Sequence, residues 1–129
     1  MGVYSINYPV FVYGTLKRGY SNYHLIQDYT NKELSATTKG KLYDVGGIPG
    51  LVEGDDTIKG ELMYFDPNYY QMALSVLDRL EGYDVNDINN SLYIRKLKKV
   101  FVNNQTIDAY AYFWNKSLEQ AKEIKEGKH

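Results

Sequence analysis

The sequence has no cysteine. A disulfide scaffold, a thiolate metal site, a thiol nucleophile and a dithiol redox centre are therefore all excluded. With 2 histidines, His24 and His129, there is little to build a zinc site from. The 3 prolines stand apart at Pro9, Pro49 and Pro67, each beside an expected element boundary. Neither sign of charge dominates, with 15 basic against 16 acidic residues, so general attraction to nucleic acid or anionic lipid is not expected. No run approaches 18 consecutive apolar residues, and Met1 to Val10 lacks a basic start followed by an apolar stretch. The expectation is neither export nor membrane spanning, with the cytoplasm as the default location. On that expectation the sequons at Asn89, Asn104 and Asn115 are chance occurrences, and Ile6 stands where a myristoylation signal needs Ser or Thr.

What is present suits one globular domain over residues 1–129, since 43% of residues are hydrophobic and a chain this long buries about two-thirds of its unfolded surface. The unusual feature is 14 tyrosines. Aromatic rings pack well on pleated surfaces, so the count favours strands. With balanced charge and no interleaved basic residues, base stacking is the weaker reading.

Val10-Phe11-Val12-Tyr13 is a short apolar run ended by Gly14, which predicts a buried strand entering a tight loop, Gly14 to Gly19. Ser21 is placed to cap a brief helix over Asn22 to Gln27. Further strands are expected over Leu34 to Val45, Leu51 to Glu53 and Thr57 to Phe65, with Gly46 to Gly50 as a turn or loop. Asp66-Pro67 announces a helix and Gly82 stops it. Between them Tyr70, Ala73, Leu74, Leu77 and Leu80 form one apolar stripe. Leu92 to Val102 and Thr106 to Trp114 read as a strand pair turning at Asn103 to Gln105, and the tail from Ser117 to Lys128 favours helix. These elements predict an α+β fold, a curled or barrel-like sheet with helices outside it.

Stepping 100° per residue, Glu81 falls about 20° from Leu74, inside the apolar stripe. Desolvation and the negative end of the helix both push a proton onto such a carboxylate, which prepares it for proton transfer near neutral pH. The plainer alternative is a frayed last turn in which Glu81 reaches water or pairs with Arg95. The loop at Gly14 could aim backbone N–H groups at a carboxylate or an oxyanion, but it matches neither phosphate-loop pattern, and an ordinary turn is the alternative. Asp84 to Asn90 is rich in oxygen ligands, yet Ile88 and Asn89 stand where an EF-hand needs a ligand and glycine, so a solvated loop is expected. No GxSxG elbow supports a serine nucleophile.

Two motifs, Val10-Phe11-Val12-Tyr13-Gly14-Thr15-Leu16-Lys17-Arg18-Gly19 with Asn22, and Leu77-Asp78-Arg79-Leu80-Glu81-Gly82-Tyr83, together resemble the gamma-glutamylcyclotransferase-like family in order and gap. The resemblance continues through Gly46 to Val52, Ile58 to Leu62 and Tyr93-Ile94-Arg95. It implies a small mixed β-barrel with peripheral helices, and an enzyme that releases 5-oxoproline from a small gamma-glutamyl compound without cofactor or metal. By the same resemblance Glu81 is the catalytic glutamate, Tyr13, Gly14, Thr15 and Leu16 form the substrate-holding loop, and Tyr93 is a pocket residue. The long polar stretch Asp84 to Ser91 departs from the family pattern and bears on the pocket rim. The competing reading is a non-catalytic module that binds a small metabolite in the same pocket, since fold resemblance does not guarantee activity.

Overall fold

The computed structural model describes residues 6–14 and 22–124. Six strands and one α-helix follow in the order β1 (Val10–Val12), β2 (Thr30–Val45), β3 (Ile48–Phe65), α1 (Tyr70–Leu80), β4 (Tyr93–Val102), β5 (Gln105–Trp114) and β6 (Lys122–Ile124), with short 3₁₀ turns between them. The sheet order is β3-β1-β5-β4-β2-β6, and β2 also pairs with β3, so the first five strands close a circuit. β1 and β5 are parallel, while the other pairs are antiparallel. Two seams are thin: β1 meets β5 at Val10 and Tyr110, and β2 meets β4 at Thr37–Phe101 and Thr38–Val100. The α+β expectation is met, as a mixed sheet curled into a ring rather than a uniformly hydrogen-bonded barrel.

Three local expectations are corrected. Gly46 to Gly50 is not all turn: Gly46 and Gly47, at φ 62° and 95°, make a two-residue hairpin, and strand β3 begins at Ile48. Two successive positive φ values are the signature of the tight turn whose twist suits antiparallel strands. The two strands expected on either side of Gly54 are one, because β3 continues past a register shift where Gly40 faces Asp56 and Lys41 faces Val52. The tail contributes a strand, since Lys122 to Ile124 pair with Asp44 to Leu42 of β2. Its charged, helix-favouring composition loses to the unpaired edge that β2 offers.

Alternation along the strands divides the core into two faces. Val10 and Val12 point one way with Met63, Phe65, Tyr93 and Tyr112, and α1 covers them with Tyr70, Ala73, Leu74 and Leu77. Phe11 points the other way, with Leu42, Leu51, Ile58, Leu62, Val100 and Phe113. Gly60 lets β1 approach β3 closely: a Cβ there would collide with the Val12 carbonyl oxygen.

Asp66 Oδ1 accepts from the Asn68 N–H at 2.9 Å, so the expected cap holds the 3₁₀ turn Pro67–Tyr69, and the α-helix proper starts at Tyr70. The far end is a Schellman closure: Gly82 at φ 64° donates to the Arg79 carbonyl, and Tyr83 donates to the Asp78 carbonyl. Leu80, expected on the buried stripe, is 37% exposed. It is the last helical residue, where the stripe runs off the core.

Candidate active site

The Schellman turn holds Glu81 just past the helix, with its own N–H bonded to the Leu77 carbonyl at 2.9 Å. The side chain is half-buried and lines a cavity of about 260 Å³ together with Tyr13 and Tyr93. Burial raises the Glu81 pKa from its ordinary value to about 7. Among the described residues none offers the carboxylate a hydrogen bond or an ion pair. Arg95, the partner that the plainer reading would supply, is engaged elsewhere: its Nε lies 3.0 Å from Asp78 Oδ1 and its Nη2 donates to Oδ2 at 3.3 Å. The Nε–H is not aimed along a hydrogen bond, so that contact is ionic, and the guanidinium also sits over the Tyr110 ring at 4.5 Å. A desolvated carboxylate with an intermediate pKa can both take up and return a proton near neutral pH.

Tyrosine hydroxyls lock the surroundings. Tyr13 donates to the Tyr112 carbonyl at 2.6 Å and accepts from the Leu51 N–H at 3.3 Å. Tyr112 in turn donates from its own hydroxyl to Asp78 Oδ1 at 2.6 Å, tying β5 to α1 one turn before Glu81. Tyr93 donates to the Pro49 carbonyl at 2.6 Å, fixing the β2–β3 hairpin against the start of β4. Burial first, and then the nearness of two other acidic groups, Tyr93 and Glu81, holds the Tyr13 hydroxyl well above the ordinary tyrosine range. Tyr93 is raised by burial and then by Glu81. Tyr112 is raised by burial and then by Asp78. These three hydroxyls stay protonated and serve as fixed donors.

Of the residues singled out from the sequence, Glu81, Tyr13 and Tyr93 meet at one cavity, as does Asn22, which accompanies the first motif. Gly14 is buried with φ 74°, a left-handed conformation that suits glycine at the exit of β1. Thr15 and Leu16 lie outside the described residues. Sequence reasoning missed the hairpin, whose Gly47, Ile48 and Pro49 line the cavity, and the two leucines Leu80 and Leu92. The glycines of that hairpin were visible, but nothing local indicates which cavity a hairpin will border. The polar stretch before β4 folds on itself: the buried Ser91 hydroxyl accepts from the Asp84 N–H at 2.9 Å and donates to the Asp87 carbonyl at 3.0 Å. The Leu92 N–H donates to the Gly82 carbonyl at 2.9 Å, so this loop delivers Leu92 and Tyr93 beside Glu81. Among the described residues no group of His, Asp and Glu is arranged to hold a metal ion, and no helix is long and apolar enough to cross a membrane.

Comparison with known proteins supplies the family. A Vibrio cholerae protein called "Putative gamma-glutamylcyclotransferase" is 39% identical over 77 residues, 59% of this chain and 64% of that protein. The "Gamma-L-glutamyl-butirosin B gamma-glutamyl cyclotransferase" of Niallia circulans is 29% identical over 111 residues, 83% of this chain and 67% of that one. The matches thus span about two-thirds of each relative's length. The crystal structure of YkqA from Bacillus subtilis superposes with a TM-score of 0.68 at 26% identity, covering 93% of this chain and 38% of that one. The family described as "Gamma-glutamyl cyclotransferase, AIG2-like" matches residues 10–129, and this chain belongs to it.

Proposed function

We propose that this protein is a gamma-glutamyl cyclotransferase that releases 5-oxoproline and a free amine from a small gamma-glutamyl compound, with Glu81 carrying the protons. The observation that carries the reading is a half-buried carboxylate with a pKa near 7 that faces a small cavity beside two fixed tyrosines. The Niallia circulans relative, named for cyclotransfer on a gamma-glutamyl conjugate, supports the same reaction class.

The substrate supplies its own nucleophile. Its α-amine attacks the γ-carbonyl carbon, a C–N bond closes the five-membered lactam, and the C–N bond to the leaving amine breaks. Free α-amines titrate near 8 and are mostly protonated at neutral pH. Glu81 in its ionised form takes the first proton, and the second leaves the attacking nitrogen as the lactam forms. Both end on the departing nitrogen, Glu81 acting as acid, so no net proton and no water is consumed. Nothing is oxidised or reduced, and the balance calls for no cofactor. Well-oriented intramolecular attack reaches effective molarities of about 10⁵–10⁸ M, so holding the substrate curled is the main task left to the walls. Tyr13, with its hydroxyl committed both as donor and as acceptor, serves as a wall. Tyr93 keeps lone pairs able to accept from the substrate's ammonium group. Gly14, Thr15 and Leu16 are assigned the α-carboxylate or the oxyanion through their backbone N–H groups.

A panel of gamma-glutamyl amines and peptides tests the proposal, with 5-oxoproline as the readout. Glu81→Gln should keep the circular dichroism spectrum and ligand binding while kcat falls about 10²- to 10⁴-fold, the usual worth of general acid–base catalysis. Undiminished turnover by that variant would refute the assignment.

A further inference from the structure

Three large aliphatic side chains that line the cavity, Ile48, Leu80 and Leu92, are 41%, 37% and 36% exposed. They come from three separate elements: the first residue of β3, the last of α1 and the loop before β4. Each is held by its backbone rather than by apolar contact alone. Leu92 is clamped between the Gly82 carbonyl and the Asn115 N–H, which its own carbonyl accepts at 3.0 Å. Ile48 follows the tight hairpin and precedes the carbonyl that Tyr93 grips. Leu80 is fixed by the Schellman closure. Aliphatic groups kept partly in water along one cavity mark a place for apolar matter.

The cavity is small. At about 260 Å³ it lies below the roughly 300–1,000 Å³ of sites that enclose drug-sized ligands. A glutamyl unit whose amine must reach Glu81 occupies the interior, which leaves the departing amine at the mouth. Among the described residues Glu81 is the only charged side chain lining the cavity. A carboxylate on the leaving group would be desolvated against the three aliphatics and repelled by ionised Glu81.

Resting on the cyclotransferase reading above, we infer that Ile48, Leu80 and Leu92 form a specificity rim that selects uncharged, apolar leaving amines. Three conjugates of similar length test it: gamma-glutamyl butylamide, gamma-glutamyl-β-alanine and the gamma-glutamyl conjugate of 1,4-diaminobutane. The expected kcat/KM is about tenfold or more in favour of the butylamide over the β-alanine conjugate, the size of effect that a small apolar contact produces, with the diaminobutane conjugate, desolvated by the aliphatics but drawn by ionised Glu81, between the two. Ile48→Lys should cut the butylamide to β-alanine ratio by about tenfold. Leu92→Asn should lower the same ratio, should the lysine variant fail to fold as judged by circular dichroism. The ratio cancels any general loss of activity. Release of 5-oxoproline from all three conjugates at equal kcat/KM, or preferentially from a charged one, overturns the rim while leaving the cyclotransferase reading intact. Release from none overturns that reading and the rim with it.

Discussion

The two faces of the ring are built from the same strands and do different work. The face lined by Phe11, Leu42, Leu51, Ile58, Leu62 and Phe113 is almost purely apolar, and its buried polar group, Thr38, is satisfied by donating to the Lys99 carbonyl at 2.7 Å. The face under α1 includes Tyr70, Tyr93 and Tyr112, each with its hydroxyl donated to a backbone carbonyl or a carboxylate. One face contributes adhesion, which has no direction. The other contributes direction, because a buried hydroxyl must find its acceptor and so fixes where β4, β5 and α1 lie around Glu81.

The contrast can be broken from either side. Phe11→Ala should have the largest effect on folding, costing about 3–5 kcal/mol in urea denaturation, since the fully buried ring leaves a hole its neighbours cannot fill. A loss under about 1 kcal/mol would show that the apolar face repacks freely. A smaller effect is expected from Glu81, and it depends on pH. Its folded pKa is raised to about 7, so between its ordinary value of 4.5 and that value the folded chain holds more proton than the unfolded one. Stability then falls as pH rises through that window, by about 1–3 kcal/mol in total. Glu81→Gln should remove this slope and be the more stable protein at pH 8, whereas parallel stability curves would mean that the acid is solvated. The kcat/KM of the wild type should rise across the same window as Glu81 ionises. The smallest effect is expected from Tyr112→Phe, about 1.5 kcal/mol for a hydrogen bond to a carboxylate that keeps Arg95 as partner. Its informative readout is kcat: a fall of a few-fold with KM unchanged would identify Tyr112 as a positioning residue for the end of α1, and an unchanged kcat would confine it to stability.

Local chemistry made part of this legible in the sequence. Asp66-Pro67 and Gly82 bracket a helix whose stripe repeats every 3.6 residues, and cap, proline and glycine act on neighbours within a turn, so their effects hardly depend on the rest of the chain. Glu81 was legible for the same reason, since its angular place follows from counting residues from Leu74. The hairpin lining of the cavity was not, because it depends on the Pro49 carbonyl accepting from the Tyr93 hydroxyl 44 residues away. Nor was the fate of Arg95, which has Asp78 and Glu81 near one helix end within reach of any sequence argument and takes Asp78 in the fold.

By itself, then, the chain's order of residues determined the alternation that splits the core, the end of α1 and the presence of a carboxylate on its apolar side. The tertiary structure alone decided that Lys122 to Ile124 would be a strand, that β1 would lie parallel to β5, and that Glu81 would be half-buried and without a basic partner among the described residues. The first set depends on interactions a few residues apart, while the second depends on which distant surface reaches an open edge or a buried charge first.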